Sequence, residues 1–231
     1  MVEIWARSSE ASASRTSSPL SGFAVDLRNH AADFVASLLD ALKLESATLV
    51  GGSMGGFFAL AGTLAHLERV RKLVLVGLAA GAVSQIPEGL RIICENPGLA
   101  EEFMKGRDNM EAQKGQYRDM FHTDPAIVPD LYFETRIAGL RLPSEQGTWA
   151  TLLPRIGSPE VYLGDELPRI KAPTLVIWGE HDMAPAEVGR AVTSKIPRAR
   201  FEYLPGIGHF PFLETPDRCA QLISEFLRES R

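Results

Sequence analysis

Short apolar runs alternate with amphipathic stretches along most of the chain. Residues 47–51, 72–76 and 174–178 are continuous apolar runs rich in β-branched residues and bounded by Gly or Pro. Runs of this length are typical of strands that are buried on both faces, as in a parallel sheet covered by helices. A fourth strand is predicted over residues 200–204.

Three stretches predict the helices that cover this sheet. Residues 55–67 lie between the first two strands and form a β-α-β unit with them, and residues 216–227 predict a terminal helix. Over residues 24–44 the apolar positions recur at spacings of three and four, which indicates a helix with one face on a core. These positions are Leu27, Ala31, Phe34, Val35, Leu38, Leu39 and Leu42. The alternation of strands and helices predicts an α/β fold with a mostly parallel sheet.

Composition divides the chain into four segments. Residues 1–22 are rich in serine and have little to bury, so we expect a flexible N-terminal segment. Residues 23–78 and 166–231 carry the strands and form the two parts of the core. Residues 79–165 contain helical patches and no convincing strand. Such an insertion commonly forms a lid over a site at the carboxyl ends of the strands, the alternative being an irregular excursion without function.

Composition and charge narrow the choice of partners. The 231 residues are 45% hydrophobic, and 24 Lys and Arg against 29 Asp and Glu give a net charge of −5. This balance, without a basic run, excludes the electrostatic footprint of a nucleic-acid or anionic-membrane binder. No apolar stretch approaches the roughly 18 residues of a membrane span, and the N-terminus has no secretory apolar region. We expect a cytoplasmic protein that acts on a small molecule.

Neither a cofactor nor a metal is expected. The sequence contains no phosphate loop, no dinucleotide fingerprint and no cluster of metal ligands. Cys94 and Cys219 lie far apart and belong to no ligand motif, so both are expected to be buried free thiols.

The strongest chemical signal directly follows the first strand. Residues 51–55, Gly-Gly-Ser-Met-Gly, match G-x-S-x-G and join a strand to a helix, the context of a nucleophile elbow. Ser53 is expected at positive φ, where side chains two residues before and after it would collide unless both are glycine. The N–H of Met54, at the helix N-terminus, can donate to a developing oxyanion. The alternative is an ordinary glycine-rich turn.

A serine nucleophile needs a histidine to take its proton. Of the five histidines, His209 is the candidate because it follows the last strand in a glycine-rich loop that can reach across the carboxyl edge of the sheet. His30 and His66 fall on predicted helices, and His122 lies in the insertion. His181 immediately precedes the candidate acid.

That acid is Asp182, which lies just past the third strand, where an open α/β sheet places groups that contact ligands. Glu180 in the same loop is the nearest rival, and its shorter distance from the strand is expected to leave it pointing outward. Ser53, Asp182 and His209 therefore follow three strands in the order Ser, Asp, His.

These motifs resemble those of the α/β-hydrolase superfamily, specifically its esterases, lactonases and carbon–carbon hydrolases. Residues 49–56 look like the elbow of that family, residues 170–182 like its acid strand and loop, and residues 208–216 like the segment that carries its histidine. The resemblance runs from about Phe23 to the C-terminus and implies a sheet with flanking helices and an inserted helical lid. Serine at position 53 disfavours the haloalkane-dehalogenase and epoxide-hydrolase branches of the superfamily, whose members use aspartate as the nucleophile.

Part of the insertion is similar to the cap of meta-cleavage-product hydrolases, which cut carbon–carbon bonds in ring-fission products. In residues 120–138, Arg136 matches a cap arginine that contacts substrate in that group. The alternative is a solvated arginine paired with Glu134 or Asp130. Phe210 stands where many of those enzymes have tryptophan.

The resulting hypothesis is a serine hydrolase that acts on a small carboxylic ester or lactone through an acyl-enzyme. Ser53, Asp182 and His209 would form the triad, with Gly52, Arg136 and Phe210 as candidate substrate-binding residues. Because of Phe210, carbon–carbon hydrolysis is kept as the alternative. A non-catalytic hydrolase-fold module that binds a ligand or partner is a further alternative.

The segment before the elbow is short for this family, in which the elbow follows the fifth strand. Residues 1–23 precede the first predicted helix, and they lack the His-Gly motif that supplies a second oxyanion N–H. We therefore expect an N-terminally truncated fold whose elbow strand is an apolar sheet edge, which invites pairing with a second copy. A fragment of a longer enzyme, a homodimer and a degenerate homologue with little activity are the alternatives.

Overall fold

A computed structural model describes residues 26–77, 81–84, 88–96, 107–142, 155–156 and 158–229. The predicted flexible segment, residues 1–22, lies outside the described residues. The strands are β1 (Ala47–Gly52), β2 (Val70–Val76), β3 (Thr174–Gly179) and β4 (Ala199–Leu204). The helices are α1 (Leu27–Ala41), α2 (Met54–Ala65), α3 (Glu88–Glu95), α4 (Met110–Asp119), α5 (Asp130–Leu140), α6 (Ala186–Lys195), α7 (Pro211–Glu214) and α8 (Pro216–Arg228).

The described strands form one parallel sheet in the order β1-β2-β3-β4. All four therefore end at the same edge, and the loops that follow them lie side by side. The α/β fold with a parallel sheet flanked by helices is confirmed.

Alternate residues of the two central strands face two separate cores, as the pleat of a strand requires. One core lies beneath α1, α2 and α6 and contains Leu73, Leu75, Val176 and Trp178. The opposite core lies beneath α8 and contains Val74, Val76, Leu175 and Ile177, together with Cys219, Leu222 and Phe226. Burial on both faces explains why β2 and β3 are continuous apolar runs.

Of the two cysteines, the structure describes the side chain of Cys219. Cys219 is a buried free thiol, and burial raises its pKa to about 11. It is therefore protonated at neutral pH and acts as an apolar core residue. The side chain of Cys94 lies outside the described residues.

The first helix is shorter than the pattern predicted. Helix α1 ends at Ala41, and Leu42, assigned to its apolar stripe, is 43% exposed. The chain reverses at Lys43, which has a φ of 56°, and the N–H of Leu44 bonds back to the carbonyl of Leu39. This turn moves Leu42 off the core face, so its assignment to the stripe was wrong.

The insertion between β2 and β3 carries α3, α4 and α5, and its described residues form no strand. An aromatic cluster holds α4 and α5 together. Its members are Tyr117, Phe121, Tyr132, Phe133 and Phe210, the last from the loop after β4. The role of the insertion as a lid remains a prediction.

In the described part of the chain, no helix is long and apolar enough to cross a membrane.

A buried lysine joins the sheet to the terminal helix. Lys72 lies in β2, and its Nζ donates to the carbonyls of Phe226, Leu227 and Glu229 at distances of 2.5, 3.1 and 2.9 Å. The last carbonyls of a helix have no partner within the helix, and the negative end of its dipole attracts a cation. Lys72 therefore caps the C-terminus of α8.

We expect Lys72→Met to lower the free energy of unfolding by about 2 kcal/mol, because the helix end loses three charge-assisted hydrogen bonds. Urea denaturation would measure this loss. Lys171→Met, a change at an exposed lysine, is the control and should change stability little. Equal midpoints for both variants would contradict the assigned cap.

Strand β1 has a hydrogen-bonded neighbour on one side only within the described sheet, and its Val50 is 55% exposed. An exposed apolar edge is a template for pairing with another strand. The homodimer remains a prediction, and light scattering coupled to size-exclusion chromatography should give twice the monomer mass. Val50→Lys should reduce that mass to the monomer value. A monomeric unmodified protein would exclude the dimer.

Candidate active site

Ser53 occupies a strained turn between β1 and α2. Its φ of 52° and ψ of −118° place it in a conformation that residues with a Cβ rarely adopt. The strand ends at Gly52 and the helix begins at Met54, so one residue makes the whole reversal. The side chain of Ser53 is thereby placed at the carboxyl edge of the sheet.

The two flanking glycines are not equivalent. A Cβ at Gly51 would lie 2.3 Å from the carbonyl oxygen of Gly55, so only glycine fits there without a backbone shift. A Cβ at Gly55 would meet nothing within 4 Å. The expected steric need for glycine on both sides of Ser53 was therefore wrong for Gly55, because its Cβ direction points to open space.

The start of α2 offers a donor beside the serine. The carbonyl of Ser53 accepts from the N–H groups of Gly56 and Phe57, at 2.9 and 3.4 Å. The N–H of Met54 is the first of the helix and has no acceptor within it. It is therefore available for a negatively charged oxygen at this end of the helix dipole.

Asp182 and His209 meet at the carboxyl ends of β3 and β4. Nδ1 of His209 lies 2.9 Å from Oδ1 of Asp182, and both side chains are buried. A carboxylate in this position selects the tautomer with hydrogen on Nδ1, so that Nε2 is free to accept a proton.

Gly77 directly follows β2 and makes room for this pair, a role not predicted from the sequence. A Cβ on Gly77 would lie 2.7 Å from the carbonyl oxygen of His209 and 3.1 Å from Oδ2 of Asp182. Its φ of 71° also favours glycine. A glycine directly after an apolar strand was the available signal.

The register of the sheet places the end of β1 next to the end of β2. Gly52 of β1 is paired with Val76 of β2, so Ser53 and Gly77 leave adjacent strands side by side. Nε2 of His209 is buried and has no hydrogen-bond partner among the described residues, Ser53 Oγ included. A buried ring nitrogen without a partner costs about 1–3 kcal/mol. Hydrogen bonds of catalytic groups commonly tighten only when substrate binds.

The rival residues have other partners. Glu180 is exposed and accepts from the N–H of Gly206 at 2.7 Å. This hydrogen bond, with one from Tyr203, holds the pKa of Glu180 below its usual value. His122 is exposed, and its Nδ1 lies 2.9 Å from the carbonyl oxygen of His181. The hydrogen bonds of Glu180 and His122 therefore go to groups other than the side chains of Asp182 and His209.

Aromatic rings cover the imidazole of His209. Phe121 stacks on it, with ring centroids 5.4 Å apart and planes 21° apart. Phe210 lies 4.6 Å from the same ring and stacks in turn on Tyr117. Phe210, a candidate substrate contact, thus packs into the aromatic cluster. Phe121 was not singled out from the sequence, because nothing local marks it as a neighbour of the histidine.

Arg136 lies on α5 against the same aromatic cluster. Its Nε donates to Gln113 at 3.1 Å, and its guanidinium lies 5.6 Å from the ring centre of Tyr117. Asp130 is instead paired with Lys114, at 2.7 Å. The solvated Arg136–Asp130 pair considered from the sequence does not form, because Gln113 and the rings hold the guanidinium elsewhere.

Two shifted pKa values accompany this cluster. Burial, and then the positive charge of Arg136, lowers the pKa of Arg107 to about 10. Burial raises the pKa of Tyr117 above its usual value. The insertion therefore places positive charge next to a dry aromatic surface.

Gly52, the remaining candidate substrate contact, faces the ring of Phe212, which would lie 3.1 Å from a Cβ at that position.

The fold and this arrangement define an α/β protein in which a serine at positive φ joins a strand directly to a helix. A family model described as the alpha/beta hydrolase family matches residues 9–222. The chain belongs to the alpha/beta hydrolase family.

Individual relatives extend this result. The 2-hydroxymuconate semialdehyde hydrolase of Pseudomonas sp. (strain CF600) is 33% identical over 207 residues, which cover 86% of this chain and 68% of the relative. A meta-cleavage product hydrolase from Pseudomonas fluorescens IP01 has a similar structure, with a TM-score of 0.69, 23% identity, and coverage of 96% of this chain and 76% of that one. An esterase from Thermogutta terrifontis gives a TM-score of 0.59 and 28% identity, over 85% of this chain and 70% of that one.

The chain spans about two thirds of the length of the curated relatives that it matches. The likeness to the P. fluorescens enzyme, at 23% identity, shows the fold alone.

The two elbow glycines provide a matched test of the turn. We expect Gly51→Ala to destabilise the protein by about 2 kcal/mol, because its Cβ would force the strand away from the helix. Gly55→Ala should be neutral or stabilising by up to about 1 kcal/mol, since alanine favours the helix. Urea denaturation of both variants measures the difference. Equal stability of the two variants would contradict the assigned close approach.

Proposed function

We propose that this protein is a hydrolase in which Ser53 is the nucleophile, His209 the general base and Asp182 the residue that orients the base. The observation that carries the proposal is the buried Asp182–His209 hydrogen bond, with Nε2 unpartnered, at the sheet edge where Ser53 makes its strained turn. The N–H of Met54 would hold part of the oxyanion.

The chemistry follows from these positions. Ser53 Oγ attacks a carbonyl carbon while its proton passes to Nε2 of His209, and the carbonyl oxygen becomes an oxyanion. Asp182 stabilises the resulting imidazolium, because a buried carboxylate interacts strongly with a cation at 2.9 Å. The imidazolium then protonates the leaving group. Water, activated by His209, releases the acyl group from Ser53.

We propose a carbon–carbon bond in a ring-fission product as the bond that is cleaved. The 33% identical Pseudomonas relative, a 2-hydroxymuconate semialdehyde hydrolase, favours this substrate class over simple esters. A carbon leaving group must take the bonding electron pair and then a proton. When the 2-hydroxyl group of the substrate has tautomerised to a ketone and C5 has gained a proton, the pair released at C5 passes onto the 2-oxo oxygen as a dienolate. His209 is the residue placed to deliver the proton that this leaving group takes up.

Arg136 is the proposed contact for the carboxylate of such a substrate. Its guanidinium is oriented by Gln113 and lies on the rings of Tyr117 and Tyr132. A planar cation beside aromatic rings suits a carboxylate attached to a flat conjugated chain. Phe210 and Phe121 would form the apolar wall near the reacting carbonyl.

Hydrolysis of an ester or lactone is the second candidate. The 28% identical Thermogutta terrifontis esterase favours it. Both reactions use the same acyl-enzyme, and they differ in whether oxygen or carbon leaves.

We expect the protein to cleave a 2-hydroxy-6-oxo-dienoate, measured as loss of the absorbance of the conjugated dienoate. Ser53→Ala should lower turnover by about 10³-fold or more, because no other group can form the acyl-enzyme. Ser194→Ala, which changes an exposed serine on α6, is the matched control and should retain full turnover.

Two results would contradict the substrate assignment. Good turnover of small activated esters with no cleavage of dienoates would favour ester hydrolysis. Tight ligand binding without turnover of either class, unchanged by Ser53→Ala, would favour the non-catalytic binding module.

A further inference from the structure

The loop that carries the candidate base is held from outside the triad. We call residues 205–210 the histidine loop and residues 121–123 the clasp segment. The clasp segment belongs to the insertion and follows α4 after Met120. The proposal below rests on the proposed function, because it concerns how His209 is positioned.

Glu214, at the end of α7, contacts both segments. Its two carboxylate oxygens accept from the N–H of Gly208, at 3.0 and 2.9 Å. One of the same oxygens accepts from the hydroxyl of Thr123, at 3.0 Å. The side chain of Thr123 is fully buried. One carboxylate thus joins the residue before His209 to a buried hydroxyl of the insertion, and hydrogen bonds to a charged acceptor are the stronger kind.

The clasp segment in turn contacts the base itself. The carbonyl of Phe121 accepts from the backbone N–H of His209 at 2.9 Å, and the Phe121 ring stacks on the imidazole. A Cβ at Gly208 would lie 2.3 Å from the carbonyl oxygen of His122, so the two backbones are as close as glycine allows. His122 adopts a φ of 51°, a left-handed conformation that the contact must maintain.

These contacts form one continuous path from Glu214 to the reacting nitrogen. If the carboxylate is removed, Thr123 and the N–H of Gly208 lose their shared acceptor. The carbonyl and ring of Phe121 would then no longer be held against His209. Because a displacement of about 1 Å at a reacting group can cost about 10²-fold in rate, small loosening of this path has a large kinetic effect.

We propose that Glu214 is a positioning residue that fixes His209 through Gly208 and Thr123 and thereby couples the insertion to the base. The clasp segment continues through residues 124–129 into α5, which carries Arg136. The carboxylate of Glu214 therefore links the backbone next to the base to the segment that leads into α5.

The test uses the full chain and two independent readouts. The first is hydrogen–deuterium exchange of the histidine loop and the clasp segment, which needs no activity. The second is the rate at which a fluorophosphonate modifies Ser53. The variants are Glu214→Ala, Glu214→Gln and Thr123→Val, with Glu225→Ala on the exposed side of α8 as the matched control.

We expect Glu214→Ala to increase exchange in both segments and to slow modification of Ser53 by about tenfold or more. Glu214→Gln keeps an oxygen that can accept both bonds, so it should restore the rate to within about threefold. Thr123→Val, which removes one hydroxyl in a similar volume, should also slow modification. It decides the matter if Glu214→Ala does not fold. Glu225→Ala should match the unmodified protein.

Unchanged exchange in Glu214→Ala and Thr123→Val would overturn the proposal, whether or not the protein is a hydrolase. Increased exchange with an unchanged rate of Ser53 modification would also overturn it, since the contact would then be structural only. If the unmodified protein fails to react at Ser53, the proposed function itself fails and the positioning role falls with it.

Discussion

The carboxyl edge of one parallel sheet is the constraint on which the candidate site depends. Four parallel strands must end on the same side, so the segments that carry Ser53, Gly77, Asp182 and His209 all begin at one edge of the sheet. The ends of the strands therefore lie at one edge of the sheet, although Ser53 and His209 are 156 positions apart in the chain. The buried Asp182–His209 hydrogen bond then sets the orientation of the base.

The insertion between β2 and β3 contacts the residues at this edge of the sheet. Phe121 covers the imidazole of His209, and Glu214 holds Thr123 of the insertion to the histidine loop. Arg136 also belongs to the insertion, and its guanidinium donates a hydrogen bond to Gln113. The proposed carbon–carbon hydrolysis needs both the sheet edge and the insertion. A carbonyl must reach Ser53 at the sheet edge, while the insertion holds a charged, conjugated leaving group away from it.

Elements set by local pattern could be predicted from the sequence. All four strands lie within two residues of their predicted bounds, because continuous apolar runs between Gly and Pro leave few alternatives. Ser53 could be found because the strained turn needs glycine two residues before it. Contacts over long separations could not be found. Lys72 meets Phe226 at a separation of 154 residues and Thr123 meets Glu214 at 91, and no local pattern marks either pair.

We propose above all that Ser53 is a nucleophile that the His209–Asp182 pair activates. The most direct measurement maps the residue modified by a fluorophosphonate in the unmodified protein and in Asp182→Asn. We predict an adduct on Ser53, formed about 10⁴-fold more slowly in Asp182→Asn because the amide no longer favours the tautomer that accepts a proton at Nε2. An adduct at another residue, or equal rates in the two proteins, would contradict the claim.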